Sequence, residues 1–213
     1  RFGELNRKVQ KLKKGLSLDH KSRYYQWCQF IDPDERKKLL IDNFEIIENP
    51  FSELDWNDLN SILIADQKMV LPNDMLKKVD LMSMANSLEV RVPFLDHELV
   101  EFACSLPEEY KITSSIRKRI LQETFRPDLP EMLFKRPKHG FEVPLLNWFK
   151  GDLKSLIEDD LLSDSLLAEQ NIFNQTAIKA LINKMHSSDP GDSSTHVWNL
   201  IVFQTWWKKY IRQ

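Results

Sequence analysis

The carboxylate of Glu89 and the guanidinium of Arg91 are the first pair in this sequence that could act together on a substrate. They lie in a segment where Val90, Val92 and Phe94 recur at every second position, as in an extended chain. Side chains two positions apart on an extended segment point to the same side, so this pair can present opposite charges to one spot. A structural ion pair that stabilises the following turn is the alternative, and the sequence leaves both interpretations open.

A second group of charged side chains lies in a loop. Lys135, Arg136 and Lys138 fall within a few residues of one another and are followed by His139, while two prolines and a glycine occur within residues 134–144. Such a concentration of cations suits an anionic substrate, or a negative charge that develops during a reaction. An ordinary basic surface loop is the alternative, and spacing alone favours it.

The elements that must position these residues are helical nearly throughout. Apolar stripes of helical spacing begin after N-cap residues at Asp32, Asp96, Asn174 and within Thr113–Ser115. We expect one helix to end at Leu71-Pro72 and another to begin directly after it. The final helix should begin near Ser193, with its aromatic side chains in the core. Because only residues 90–94 alternate clearly, we predict a mostly α fold without a substantial sheet.

Composition excludes several classes of protein. A formal charge of -2 in 213 residues gives no electrostatic support for nucleic-acid binding, and 42% apolar residues are sufficient for a core. No apolar run approaches the roughly 18 residues that a membrane-spanning helix needs. Cys28 and Cys104 lie far apart without metal-ligand spacing, so they are interpreted as reduced cysteines of a cytoplasmic protein.

Several segments resemble motifs of the synthetase domain of glutamine-dependent asparagine synthetases. Ser87 and the residues after it read SLEVRVPFLDH, and the family motif reads SLEVRVPFLD. Residues 71–80 (LPNDMLKKVD) are similar to the family's LPDDILVKVD, and residues 82–87 (MSMANS) are similar to ASMAHS. The resemblance extends over roughly residues 15–210.

The resemblance implies a reaction and candidate residues for it. In this family a carboxylate attacks ATP, with Mg²⁺, to give an acyl-adenylate and pyrophosphate, and ammonia from glutamine then displaces AMP. Lys138 matches the lysine of an RKKxGF-like family segment and is the expected catalytic residue. The candidates for binding substrate or ATP are Asp74, Asp80, Glu89, Arg91, Lys118 and Arg136. No metal ligand is assigned. Lys118 matches the lysine of a TKYLLRE helix, but Gln122 stands where that helix has arginine, which weakens the expectation of an intact anion site.

Motifs that are missing imply that this sequence is one part of such an enzyme. It lacks the SGGxDS pyrophosphate loop, the ELFGGY-like motif and the nucleophilic amino-terminal cysteine. We therefore expect the helical carboxyl-terminal portion of an α/β ATP-pyrophosphatase-type domain, inactive alone, with the nucleotide-binding sheet and the main ATP and Mg²⁺ ligands upstream. Within it, residues 1–50 would be a helical lead-in, residues 51–150 the motif-bearing region and residues 151–213 the closing helices.

The resemblance also implies partners and leaves alternatives. The partners would be small molecules (aspartate, ATP and ammonia) and an amino-terminal glutaminase domain of the same protein, and a homodimer is left open. One alternative is a related adenylating amide ligase, of the β-lactam synthetase or peptide cyclase type. Another is a helical interaction module without catalysis. An upstream SGGxDS loop would support an enzyme over the module.

Overall fold

A computed structural model describes residue 9 and residues 12–42, 54–137 and 143–212. Helix dominates these residues, and their only bridge pairings are the isolated ones of Leu40 with Phe173 and Ile112 with Arg117. The predicted mostly α fold is therefore confirmed. No helix in the described ranges is long and apolar enough to cross a membrane.

Residues 12–16 are helical, and twelve further α-helices have both ends among the described residues. In chain order they are α1 (His20–Cys28), α2 (Pro33–Leu39), α3 (Leu59–Lys68), α4 (Lys77–Met84), α5 (His97–Ser105), α6 (Glu108–Lys111), α7 (Arg119–Phe125), α8 (Met132–Lys135), α9 (Leu145–Lys150), α10 (Asp164–Gln170), α11 (Gln175–His186) and α12 (Ser193–Tyr210). Two π-helical turns, Leu71–Leu76 and Leu156–Leu161, and one 3₁₀ turn, Pro93–Leu95, complete them. The chain divides into two compact units, residues 1–48 with 141–213 (the terminal unit) and residues 49–140 (the central unit).

Local capping chemistry sets where most of these helices begin. Asp32, Asp96 and Asn174 each accept a hydrogen bond from a backbone N–H of the first helical turn, as predicted. The predicted cap at Thr113–Ser115 is wrong. Thr113 Oγ does accept the N–H of Ile116, at 3.1 Å, but the chain then forms the bridge to residue 117 and helix α7 begins only at Arg119.

The predicted interruption near Pro72 is present, since α3 ends at Lys68 and α4 begins at Lys77. Residues 71–76 form a π-helical turn that leads directly into α4. A proline lacks the N–H that an α-helical turn would use, and a wider turn accommodates its ring. The prediction of a new helix after Pro72 is confirmed, with its α-helical part beginning at Lys77.

The terminal unit has a continuous apolar core. Phe149, Ile157, Ile178, Met185 and Val197 are completely buried in it. The prediction that the aromatic side chains of the final helix lie in the core is wrong for two of them. Trp198 and Trp206 of α12 are 45% and 47% exposed, because the helix directs its 197–200–204 stripe towards the core.

The central unit is much less buried. Among its described residues, only Trp56, Ser61 and Ala65 are buried. Large apolar side chains remain exposed along α4, the segment after it and α5, namely Val79, Leu81, Met82, Met84, Leu88, Val90, Val92, Phe94, Leu99 and Phe102. A patch of this extent is unusual for a surface that faces only water.

Candidate functional site

A cavity of about 660 Å³ lies in the central unit, between helix α4 and the segment that follows it. Its lining residues are Leu76, Val79, Asp80, Ser83, Met84, Ser87, Glu89, Val90, Arg91 and Val92. Three candidates from the sequence, Asp80, Glu89 and Arg91, are thus brought to one place. Most of the remaining lining is apolar, which is the usual composition of a small-molecule site.

Helical spacing supplies one wall of this cavity. Asp80 and Ser83 lie on one face of α4, Leu76 lies just before the helix and Ser87 just after it, and all four line the cavity. The sequence reasoning singled out only Asp80 of these four. The periodicity of polar residues at 80, 83 and 87 was the signal that could have identified the two serines.

A Schellman motif turns the chain back towards that wall. The N–H of Ser87 donates to the carbonyl of Met84 at 3.0 Å, and the N–H of Leu88 donates to the carbonyl of Ser83 at 2.9 Å. Ser87 has φ 56°, the left-handed conformation that this motif requires. The reversal carries Glu89 and Arg91 to the cavity beside Asp80.

The charged groups of the cavity are accessible to solvent. Glu89 Oε1 and Arg91 Nη2 form an ion pair, with side chains 69% and 85% exposed. An ion pair this exposed contributes little to stability, because water screens it and both side chains lose entropy. The pairing confirms that the two side chains point to one spot, and its exposure leaves them accessible to a ligand.

Asp80 differs from Glu89 in its surroundings. Its carboxylate takes part in no ion pair among the residues that the structure describes, and the Ser83 hydroxyl donates to its backbone carbonyl at 3.2 Å. Asp74 lies outside the cavity lining and pairs with Lys78 at 2.9 Å, one helical turn away. The structure therefore groups Asp80, and not Asp74, with the Glu89–Arg91 pair.

The remaining candidates lie elsewhere in the central unit or outside the described residues. Lys118 has φ 56° at the start of α7 and does not line the cavity. Gln122 donates to the carbonyl of Arg117 at 2.7 Å, so the residue that departs from the family pattern stabilises this turn. Arg136 follows α8 in extended backbone. Lys138 lies outside the described residues.

The side chains of the described residues determine whether a divalent metal ion could bind among them. No group of three or more His, Cys, Asp or Glu side chains that could hold a metal occurs in the described part of the chain. Asp80 and Glu89 supply two carboxylates beside a guanidinium, which opposes a divalent cation. The described residues therefore do not fit a resident Mg²⁺.

Comparison with known proteins identifies the family. The chain is 28% identical over 199 residues to the glutamine-hydrolysing asparagine synthetase 1 of Bacillus subtilis, covering 86% of this chain and 30% of that protein. It is 31% and 32% identical over 136 residues to the glutamine-hydrolysing asparagine synthetases of Cricetulus griseus and Rattus norvegicus, covering 57% of this chain and 24% of each protein. The chain thus spans less than a third of the length of these relatives. No solved structure matches it significantly. The sequence model of the asparagine synthase family matches residues 1–208, and the chain belongs to that family.

Proposed function

We propose that this chain is part of an ATP-dependent carbon–nitrogen ligase, a glutamine-hydrolysing asparagine synthetase that amidates aspartate through an acyl-adenylate. The observation that carries the proposal is the cavity of the central unit, which collects Asp80, Glu89 and Arg91 in a chain of the asparagine synthase family. ATP and Mg²⁺ would be held mainly by residues outside this chain. The same protein would also contain an amino-terminal glutaminase domain. The protein would act in the cytoplasm, where Cys28 and Cys104 stay reduced, as neither forms a disulfide here.

Two features of the cavity suit the amide-forming reaction. Glu89 is a carboxylate within reach of solvent and can accept the proton that an attacking amine must lose. Arg91 pairs with that carboxylate and can hold a substrate carboxylate through two parallel hydrogen bonds. Asp80 supplies a second negative charge opposite them, suited to orienting a cationic group of the substrate.

The exposed apolar surface of the central unit supports a role within a larger domain. Val79, Met82, Phe94 and Phe102 are all exposed in the described residues, although their size and spacing would normally place them in a core. We propose that the nucleotide-binding sheet of the same synthetase domain covers this surface. The cavity would then be closed on a further side and would lose its bulk water, which strengthens the electrostatic interactions inside it.

Lys138 is proposed as the catalytic cation on the basis of the family motif alone. The segment around it reads RPKHGF, with its lysine at the position that the family uses. Its ammonium would bind the phosphates and stabilise the negative charge of the intermediate. Arg136 and Lys118 are proposed as further contacts to the nucleotide or the substrate.

The test is aspartate-dependent formation of AMP and pyrophosphate by the full-length protein that carries this chain. Glu89→Gln keeps the size of the side chain and removes its charge, so amidation should fall at least 100-fold. Glu101→Gln is the matched control, since Glu101 is exposed on α5 and does not line the cavity. Equal activity of the two variants would refute the proposed role of the cavity. Turnover with another carboxylate but not with aspartate would favour a related adenylating ligase.

A further inference from the structure

The outer face of helix α12 carries a row of exposed large side chains. Trp198, Val202, Trp206 and Tyr210 follow one another at intervals of four residues, which places them in one line along the helix, and each is about half exposed. We call these four residues the α12 ridge. Exposed apolar side chains normally occur singly, so a continuous line of them indicates a contact surface.

The α12 ridge is symmetric about Val202. Trp198 and Trp206 lie four residues before and four residues after it, which is about 6 Å in each direction along the helix. A two-fold axis through Val202, at right angles to the helix, would place Trp198 of each copy against Trp206 of the other. Val202, the smallest side chain of the ridge, would lie on the axis itself. The ridge is therefore complementary to a second copy of itself, as the interface of a symmetric dimer must be.

The two ends of α12 carry opposite charges. Asp192 directly precedes the helix, and Lys209 lies in its last turn. Lys209 Nζ lies 5.1 Å from the ring centroid of Tyr210, and it takes part in no ion pair among the described residues. In the two-fold arrangement Lys209 lies opposite Thr195 of the second copy, three residues from its Asp192. Opposite charges would then meet at both ends of the contact and favour the antiparallel direction.

The area of the ridge indicates how strong such a contact would be. Three half-exposed aromatic side chains, of about 150–250 Å² each, offer roughly 300 Å² per copy. A stable complex of standard size buries about 800 Å² per partner, so the ridge supplies the centre of an interface and less than half of such an area. Tryptophan and tyrosine are the side chains that most often dominate the binding energy at such a centre. We therefore expect a reversible association with a dissociation constant in the micromolar range.

We propose that the α12 ridge is a homodimer interface, in which it packs antiparallel against the same ridge of a second copy of this chain, with Val202 at the two-fold axis. This contact is independent of the proposed function, because it involves no residue of the cavity in the central unit.

The test is disulfide cross-linking of the full-length protein that carries this chain. Helix axes about 8–10 Å apart bring two Cα atoms on the two-fold axis to about 3.5–5.5 Å, because each Cα lies about 2.3 Å from its helix axis. This range overlaps the Cα–Cα distances of about 4.4–6.8 Å that a disulfide spans, so Val202→Cys should cross-link two copies under mild oxidation. Thr205→Cys is the matched control. Thr205 is exposed on the same helix, but its two copies would lie about 9 Å apart along the helices, too far for a disulfide.

A charge on the ridge should prevent the cross-link. Trp206→Lys, introduced into the Val202→Cys protein, replaces an apolar contact by a cation on both sides of the axis, so the yield should fall at least about tenfold. Trp27→Lys is the matched control, because Trp27 is also 47% exposed but lies on α1, and it should leave the yield unchanged. Circular dichroism compares the helix content of these variants. If Trp206→Lys loses helix content, Trp206→Ala replaces it, with a fall in yield again expected.

Three results would each overturn the dimer. They are a yield from Val202→Cys no higher than that of the wild type, equal yields from Val202→Cys and Thr205→Cys, and an unchanged yield after substitution of Trp206. The rate at which the thiol at position 202 reacts with a soluble thiol reagent then identifies what the ridge contacts instead. A protected thiol in a monomeric protein would show that another part of the same protein covers the ridge. A reactive thiol would show that the ridge faces solvent.

Discussion

The side-chain amides of Gln170 and Gln204 form two reciprocal hydrogen bonds, 2.6 and 2.9 Å long, inside the terminal unit. Both residues are buried, so each amide satisfies polar atoms of the other that have no access to bulk water. The pair joins the last residue of α10 to the middle of α12. It is a buried polar contact between segments that are distant in the sequence.

Replacing one amide of this pair should lower the free energy of unfolding more than replacing both amides. Gln204→Leu leaves the amide of Gln170 buried without its partner, and we expect a loss of about 1–3 kcal/mol in the free energy of unfolding. The double variant Gln170→Leu/Gln204→Leu replaces both amides by apolar groups and should be more stable than the sum of the two single variants implies. Equilibrium urea denaturation of the four proteins measures this coupling. Additive effects would show that the two amides act independently.

Stability should depend on pH through Asp32 and Lys14. The Lys14 ammonium donates to Asp32 Oδ2 at 2.8 Å, which lowers the pKa of Asp32 and raises the pKa of Lys14 from their ordinary values. The contribution of Asp32 is complete above the ordinary aspartate pKa and is lost as pH falls through its lowered pKa. The contribution of Lys14 is complete below the ordinary lysine pKa and is lost as pH rises through its raised pKa. The pair should therefore stabilise the fold fully between about pH 4 and pH 10.

Asp32→Asn isolates the charge in this pH dependence. Asparagine is an N-cap as good as aspartate, so α2 keeps its first hydrogen bond, from the N–H of Asp34. Since the Lys14 side chain is 58% exposed, the loss at pH 7 should be at most about 1 kcal/mol. Asp32→Ala removes the cap as well and should cost about 1 kcal/mol more. Thermal denaturation between pH 3 and pH 8 is the measurement, and an identical profile for Asp32→Asn and wild type would contradict the assignment.

Lys138 should be the residue of this chain whose loss most reduces the rate of the full-length enzyme. Lys138→Ala removes one charge contact to the phosphates or the intermediate, which typically costs about 10²–10³ in rate. Lys138→Arg should also be impaired, because a wide planar guanidinium does not replace a compact ammonium. Lys135→Ala is the control, since the Lys135 side chain is 75% exposed and its only ion pair in the described part of the chain is with Glu131, at 3.9 Å. Wild-type release of pyrophosphate by Lys138→Ala would remove Lys138 from the site.

The two units should differ in amide hydrogen exchange in the 213-residue chain. Helix α11 contributes Ile178 and Met185 to the apolar core, whereas α4 has no buried residue. Opening of α4 therefore exposes little new apolar surface and should require much less free energy than opening of α11. Mass-spectrometric exchange of peptides covering the two helices provides the comparison. Equal protection would mean that the apolar surface of the central unit is covered, for example by a second copy of the chain.

The sequence predicts most of the helical architecture because the interactions that specify it are local. Asp32, Asp96 and Asn174 cap N–H groups only two or three residues away, so their role can be read from neighbouring residues. The family motifs likewise indicated Asp74, Asp80, Glu89 and Arg91 as candidates, of which the last three line one cavity. The error at Thr113 shows the limit of such local reasoning. A hydroxyl that accepts the N–H three residues on also occurs in turns, and here the pairing of Ile112 with Arg117 delays the helix.

Tertiary structure decided the features that depend on residues far apart in the chain or on backbone conformation. The pairing of Leu40 with Phe173 and of Gln170 with Gln204 joins segments whose association no local pattern specifies. The left-handed conformation of Ser87 is not the one that a serine prefers, so only the folded chain reveals the reversal that brings Glu89 next to helix α4. Which polar residues share a cavity is set by the direction of the chain after a turn, and residue types alone do not contain that direction.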